Sequence, residues 1–434
     1  MRCSRNFSGA GRRFWEMMDG MATTTMPLQV EELTSYAPST RVTSVDMLRG
    51  LTVAMMLLVN DPGDWEHIFR QLDHAEWNGW TLTDLVFPTF LFLMGAAMVF
   101  SMNARTSRGE SWKTQSGHVV LRSAKIFALS IAISLFPLMQ WNSMRFYGVL
   151  TRIALCYLVA GLVLVATQRA AVVIAIAAGM LAIYWALLCW VPVPGAGVPG
   201  RDIPLLDEVR NLTAWVDRGV VAWTQHWLHT GALFKDTSDP EGLLSTLPAV
   251  ASTLLGSVAG TAMRRFATAK PGEKQRSLMH RVQIWLACAG VAGVGLGELW
   301  SIWLPVNKNL WTPSFVVLMA GWTSLLLAGC SWLVDGREQP WPRWLRVVTW
   351  PWLVFGANAI TAFVFSEAFV KLMLAIKVPG AEGDQNTLWD RVYYRVFAHS
   401  GSTEWTSLAF ALTFVGFCFL PLWWMWRKKI FWRA

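Results

Sequence analysis

Ionisable side chains are concentrated immediately before an apolar run near the start of the chain. Asp73, His74, Glu76 and Asp84 lie within twelve positions, and Leu85-Val-Phe-Pro88 follows them. A histidine can exchange a proton near neutral pH, and a neighbouring carboxylate can hold it in one tautomer. A general base or an acyl-accepting nucleophile needs that combination, so we predict a catalytic role for His74.

Two neighbours of His74 have more than one interpretation. Asp84 follows Thr81 and Thr83, and it also fits a helix N-cap with Pro88 in the first helical turn. Trp77 could stack on a sugar ring, although an interfacial aromatic belt is the commoner explanation. The residues alone leave both alternatives open.

A second set of polar residues lies around the apolar stretch 51–59. Asp46 and Arg49 are three positions apart, so they share a helix face and can form an ion pair. The purely structural interpretation is a salt bridge that fixes the helix end at the membrane interface. Asn60 follows Asp46 by fourteen positions, roughly 21 Å along a helix axis and within about 40° of the same face. One helix face is therefore predicted to carry polar groups at both of its ends.

Three polar residues lie inside longer apolar runs. Arg152 falls in run 149–167, and Asn358 and Glu367 fall in run 347–376. Burying a guanidinium or a carboxylate in an apolar environment is costly unless it is paired. We therefore expect these side chains to face an interior cavity.

The elements that must position these residues are membrane-spanning helices. The chain of 434 residues is 54% hydrophobic and only 15% charged, more apolar than a soluble core requires. Apolar runs recur at about 51–60, 82–102, 119–138, 149–167, 170–191, 244–263, 282–304, 313–334, 347–376 and 407–426. Most approach the ~20 residues that cross a bilayer, so we predict an all-α, polytopic transmembrane bundle of about ten helices.

The distribution of basic residues predicts how this bundle is oriented. The net charge of +9 is spread between apolar runs rather than massed on one face, which argues against nucleic acid as a partner. Alternate loops hold most of the arginines and lysines, so the positive-inside rule places both termini in the cytoplasm. Loops 61–80, 192–243 and 377–404 are then extracytoplasmic, and His74 faces outside.

The remaining sequence adds little chemistry. Residues 1–40 contain no apolar stretch of signal-peptide length and are predicted to form a disordered cytoplasmic tail, with the transmembrane domain at 41–434. The six cysteines form no C-x-x-C pair or metal-ligand spacing, so neither a disulfide framework nor a metal site is expected.

Six ordered motifs between residue 41 and the C-terminus resemble the heparan-alpha-glucosaminide N-acetyltransferase family and its bacterial relatives. They are Ser44-Val-Asp-x-x-Arg-Gly50, Val59-Asn60, His74-Ala-x-Trp-Asn-Gly-x-Thr-x-x-Asp-Leu-Val-Phe-Pro88, Gly148-Val-Leu-x-Arg-Ile-Ala154, Asp239-Pro-Glu-Gly-Leu-Leu-Ser-Thr-Leu-Pro248 and Asn307-Lys-x-Leu-Trp-Thr-x-Ser-Phe315. The resemblance implies a multi-pass enzyme of the bacterial inner membrane. It would move acetyl from cytosolic acetyl-CoA to the amino group of a glucosamine-type sugar on the far side.

The resemblance also implies roles for individual residues. His74 aligns with the family's catalytic histidine, and Asn60 aligns with an asparagine implicated at the active site. With this function we predict two further sets of residues. Asp46, Arg49, Arg152 and Asn358 are predicted to bind acetyl-CoA, and Asp84, Trp77, Asn78 and Glu367 to bind the sugar.

Several alternatives remain open at the level of sequence. The lysosomal enzyme has an extra luminal domain and an extra first helix that this sequence does not show, so the acceptor is equally a monosaccharide, a cell-wall sugar or a glycan end. A homodimer is also left open. The rival function is a secondary transporter of N-acetylglucosamine. The densest polar cluster is predicted at one membrane face rather than at the midplane, which argues against a transporter.

Overall fold

A computed structural model of the chain describes residues 42–267, 273–335, 337, 341–379 and 385–432. Its helices are α1 (Thr43–Asn60), α2 (Leu82–Ser107), α3 (Trp112–Leu135), α4 (Val149–Ala166), α5 (Ala170–Trp190), α6 (Leu212–Leu228), α7 (Thr246–Ala267), α8 (Glu273–Ser301), α9 (Pro313–Val334), α10 (Arg343–Ala357), α11 (Ala359–Ala375), α12 (Leu388–Val396) and α13 (Glu404–Arg427). One antiparallel hairpin joins β1 (Lys377–Pro379) and β2 (Gln385–Thr387). The predicted tail at 1–40 lies outside the described residues.

The helical class is confirmed, but the predicted count of ten spans is not. Within the described ranges, eight helices are long and apolar enough to cross a membrane, or nine if α10 and α11 together form one span. The first predicted span, α1, is not among them, because its 18 residues include Asp46 and Arg49 as well as the apolar stretch. The long outer loops also contain structure, since α6 lies within 192–243 and the hairpin and α12 lie within 377–404.

The apolar run 347–376, predicted as one span, is broken. The axes of α10 and α11 differ by 77°, and Asn358 lies between them. The Asn358 side chain donates from Nδ2 to Ile430 O at 3.1 Å and accepts from Trp432 N at 3.0 Å. The break therefore coincides with two hydrogen bonds from Asn358 to the C-terminal segment, a contact that hydropathy along the chain cannot reveal.

Small residues let the helices approach closely, as expected for a transmembrane bundle. A Cβ atom built on Gly256 of α7 would lie 1.8 Å from Phe92 O of α2, and one on Gly50 of α1 would lie 1.7 Å from Trp352 O of α10. Gly260 meets the backbone of Ala96 in the same way, so the small-residue motif Gly256-x-x-x-Gly260 lies at the contact of α7 with α2.

Five loops meet at one end of the bundle, which we call the site end. They are 61–81, 136–148, 191–245, 302–312 and 376–403. The hydrogen bonds that join them are Asn307–Asn78, Trp77–Leu206, Arg145–Asp239 and Ser402–Asp64. The site end thus brings together residues that are far apart in the sequence, such as Ser402 and Asp64, which are separated by 338 positions.

Candidate active site

Loop 61–81 turns into α2 through a network centred on Asp84. Thr81 is the N-cap of α2, and Asp84 is the third residue of the helix, so the predicted N-cap position of Asp84 was wrong by three residues. Pro88 accordingly lies in the second helical turn rather than the first. Oδ2 of Asp84 accepts from Thr81 N at 3.0 Å and from Ala75 N at 3.1 Å. These bonds fold the loop back over the start of α2.

The same carboxylate binds the predicted catalytic histidine. Oδ1 of Asp84 lies 2.7 Å from Nδ1 of His74. The Asp84 side chain is 1% exposed, whereas that of His74 is 40% exposed. Because an ionised carboxylate can only accept hydrogen bonds, the neutral imidazole carries its proton on Nδ1 and keeps its lone pair on Nε2. The arrangement gives a fixed imidazole with one nitrogen available to act as a base or a nucleophile.

A lysine from a distant loop completes this group. Lys308 Nζ lies 3.0 Å from Nδ1 and 2.9 Å from Nε2 of His74, and 3.7 Å from Oδ1 of Asp84. The two ring nitrogens point away from each other, so one amino group cannot bond both in the ring plane and instead lies against the imidazole. Burial lowers the pKa of Lys308, despite the opposing effect of Asp84 and Glu241.

The backbone around Lys308 is held by buried polar side chains. Asn307 is fully buried; its Oδ1 accepts from Leu310 N at 2.8 Å and its Nδ2 donates to Asn78 Oδ1 at 3.2 Å. Gly79 N donates to Val306 O at 2.7 Å. The segments that carry His74 and Lys308 are therefore bonded directly to each other.

An ion-pair cluster lies beside Lys308. Arg145 donates from Nε and Nη2 to the two carboxylate oxygens of Asp239 at 2.7 and 2.6 Å, and from Nη2 to Glu241 at 2.5 Å. Burial alone would raise the pKa of Glu241, but Arg145, Arg152 and Lys308 outweigh it and hold that pKa below its usual range. The pKa of Arg145 is raised, since its two carboxylates outweigh its burial.

The predicted residue Arg152 lies fully buried next to this cluster. It donates from Nη2 to Ser245 Oγ and to Gly242 O, the latter at 3.2 Å, and its guanidinium carbon lies 4.9 Å from the centre of the Trp311 ring. Its Nε and Nη1 have no hydrogen-bond partner among the described residues. Buried donors without acceptors are rare in folded proteins, which sets these two apart from the rest of the site.

A small cavity opens next to the cluster rather than at His74. It has a volume of about 30 Å³ and is lined by Trp77, Asp217, Asp239 and Leu310 among others. Burial raises the pKa of Asp217 to about 7, with a further contribution from Asp239. The Trp77 indole donates to Leu206 O at 2.7 Å, which fixes the ring at the edge of this cavity.

Asn60 and Glu367 lie near the site end, and neither side chain forms a hydrogen bond within the described residues. Asn60 is the last residue of α1, and its side chain has no hydrogen bond within the described part of the chain. Burial, followed by the charge of Glu367, raises the pKa of the adjacent Asp61 well above its usual range. Glu367 in turn interacts electrostatically with Arg145 and Glu241, which connects it to the ion-pair cluster.

The remaining predicted cofactor residues lie at the opposite end. Asp46 and Arg49 form the expected ion pair at 2.8 Å, and Arg49 also donates to Gly356 O at the C-terminal end of α10. The Asn358 side chain is bonded to the backbone of Ile430 and Trp432. These contacts give all three residues a structural role, and their role toward acetyl-CoA stays a prediction.

The sequence-based prediction missed the importance of four residues. Lys308, Arg145, Asp239 and Glu241 are brought to His74 or Arg152 by loops distant in sequence. Two signals were available. Asp239, Glu241 and Lys308 lie in motifs that resemble the family, and Arg145 and Lys308 lie in short loops on the side that the positive-inside rule assigns to His74. No cluster of histidine, cysteine and acidic residues suited to a metal is found among the residues described.

Comparisons with known proteins bear on this site. A family model described as "Heparan-alpha-glucosaminide N-acetyltransferase, catalytic" matches residues 41–291. The human heparan-alpha-glucosaminide N-acetyltransferase is 26% identical over 436 residues, covering 91% of this chain and 60% of the human protein. The mouse protein of the same name is 26% identical over 380 residues, covering 76% of this chain and 55% of its own length. The chain thus spans less than two thirds of these relatives. It belongs to the heparan-alpha-glucosaminide N-acetyltransferase catalytic family.

Proposed function

We propose that this protein is a membrane-embedded acetyltransferase that moves acetyl from cytosolic acetyl-CoA to the amino group of a glucosamine-type sugar on the extracytoplasmic side. The observation that carries the proposal is the His74–Asp84 pair, in which a buried carboxylate lies 2.7 Å from Nδ1 and leaves the lone pair of Nε2 unprotonated. Family membership and the apolar helices support the reaction class and the membrane location.

The geometry supports a chemical role for the free nitrogen. When the sugar amine attacks the thioester carbonyl, Nε2 takes the proton that the amine loses, and the carbon–sulfur bond then breaks. The resulting imidazolium is stabilised by Asp84 and can return the proton to the leaving thiolate. A two-step route, in which Nε2 itself first accepts acetyl, uses the same atom.

Asn60 and Arg152 are assigned by the hydrogen bonds that their side chains can still make. Asn60 has an amide without a hydrogen-bond partner in the described structure, which could donate to the oxyanion that forms on the carbonyl carbon's oxygen. The two free donors of Arg152 suit an oxygen of either substrate. Trp77, Asn78, Asp84 and Glu367 remain our candidates for the sugar side, and Asp46, Arg49 and Asn358 for the cytoplasmic entry of acetyl-CoA.

A reconstituted assay tests the reaction against the transport alternative. Purified protein in liposomes receives labelled acetyl-CoA on one side and glucosamine on the other, and the product is identified by mass spectrometry. Formation of labelled N-acetylglucosamine supports the enzyme. Uptake of N-acetylglucosamine in the absence of acetyl-CoA, with no acetylated product, would instead establish a transporter.

The acceptor and the assembly state are addressed in the same preparation. A panel of amino sugars, from the monosaccharide to a glycan with a terminal glucosamine, ranks the acceptors by kcat/KM. Light scattering of the detergent-solubilised protein distinguishes a monomer from the homodimer that the sequence leaves open.

A further inference from the structure

The amine of Lys308 lies beside the position that an acceptor amine must take. In the proposed reaction the sugar nitrogen has to approach within hydrogen-bond distance of Nε2 of His74, because that nitrogen receives its proton. Lys308 Nζ lies 2.9 Å from Nε2, against the face of the ring, and a change of its side-chain torsions brings it to the in-plane lone pair. A lysine side chain and glucosamine carry the same functional group, a primary amine on a saturated carbon.

We propose that Lys308 is an acetylation site of this protein's own active centre, modified from acetyl-CoA when no sugar acceptor is present. The inference rests on the proposed function, since it uses the same donor and the same base. The Lys308 nitrogen forms a bond to the acetyl carbonyl carbon, the carbon–sulfur bond breaks, and His74 passes the amine proton to the thiolate. The products are Nε-acetyl-lysine and free CoA, so no further reactant is needed.

The surroundings of Lys308 favour this reaction over ordinary lysine acetylation. Its side chain is 17% exposed, enough to be reached, yet its backbone turn is fixed through Asn307. Burial lowers its pKa, which increases the fraction of uncharged, nucleophilic amine at neutral pH. Lys308 is thus a positioned nucleophile, and His74 is the adjacent base that activates it.

Two other lysines provide internal controls within the chain. Lys235 is more exposed, at 50% of its side chain, and is paired with Glu208 at 2.9 Å. Lys371 donates to Ile133 O at 2.7 Å. Neither Nζ has a histidine ring nitrogen among its contacts in the described structure. Lys235 therefore reports spontaneous acetylation by acetyl-CoA, and Lys371 reports that of a bonded, partly buried amine.

The experiment uses the full chain in detergent or nanodiscs, incubated with isotopically heavy acetyl-CoA and no sugar, followed by peptide mass spectrometry. We expect heavy acetyl on Lys308 at a rate at least about 100-fold above Lys235, the lower range of general-base catalysis. Added glucosamine should suppress this labelling by competition. The His74→Ala variant, matched to wild type by its melting curve, should label Lys308 no faster than Lys235.

A second variant controls for a loss of labelling that misfolding of His74→Ala would cause. His74→Asn retains a side-chain N–H that can donate to Asp84, and it too should lose the labelling. Equal labelling of Lys308 in wild type and in either variant would overturn the inference, as would an unlabelled Lys308 in a preparation that acetylates glucosamine. A preparation that acetylates neither amine would refute the proposed function, and the inference with it.

Discussion

Replacing Asp84 with asparagine tests how the protein sets the tautomer of His74. The carboxylate makes bonds in two directions, from Oδ1 to His74 Nδ1 and from Oδ2 to the backbone N–H groups of Thr81 and Ala75. An amide has only one accepting atom. If its NH₂ faced the two backbone donors, each would lose its acceptor at a cost of about 1–3 kcal/mol.

The amide oxygen is therefore expected to face Thr81 and Ala75, which turns the NH₂ toward His74. Nδ1 must then accept, so the proton moves to Nε2 and the catalytic lone pair is lost. In a serine-protease triad the same carboxylate-to-amide change lowers kcat about 10⁴-fold, and we expect a fall of about 10³- to 10⁴-fold here. KM should change little, because the base acts on the transition state.

The assay measures kcat and KM for acetyl transfer from acetyl-CoA to glucosamine, alongside the melting temperature. Asp73→Asn is the matched control, because Asp73 accepts from the backbone N of His74 at 2.7 Å and does not bond the ring. It should retain nearly wild-type kcat. An Asp84→Asn variant that is stable and turns over within tenfold of wild type would refute this account of the tautomer.

Three further predictions concern stability, each measured by melting in detergent. Because burial raises the pKa of Asp217 from 3.8 to about 7, its contribution to the free energy of unfolding falls as the pH rises from about 4 to 7. Asp217→Asn removes that fall, so its advantage over wild type should grow with pH toward about 4 kcal/mol; a pH-independent difference would contradict it. Gly50→Ala should destabilise by about 1–3 kcal/mol through the clash with Trp352 O, whereas Gly117→Ala, with no atom within 4 Å of the new Cβ, should be neutral or stabilising. Arg145→Lys keeps the charge but not the two-pronged bond to Asp239, and should lower stability by about 1–3 kcal/mol; wild-type stability would contradict that.

Local sequence patterns predicted those features that depend on neighbouring residues. The Asp46–Arg49 pair forms because residues three apart share a helix face, and the close packing at Gly256 follows from a small-residue motif. The proximity of Asp84 to His74 was predictable for a similar reason. Only ten positions separate them, and a capping turn folds the loop back on the helix.

Features set by distant contacts could not be predicted in this way. The break at Asn358 coincides with hydrogen bonds to the segment 430–432, and the hydropathy of the run 347–376 gives no sign of that contact. Lys308 reaches His74 across 234 positions of sequence, and no spacing rule connects them. α6 lies in a predicted loop, because its short amphipathic sequence lacks the long apolar run that identified the spans.

One comparison tests the central claim most directly, because loop 61–81 carries two histidines whose Nδ1 atoms each lie 2.7 Å from an aspartate. His67 Nδ1 lies 2.7 Å from Asp64, and its side chain is 43% exposed, close to the 40% of His74. We predict that purified His74→Ala forms no acetylated glucosamine from acetyl-CoA while His67→Ala retains turnover, with both variants folded. Turnover by His74→Ala, or equal loss in both variants, would contradict the assignment of catalysis to His74.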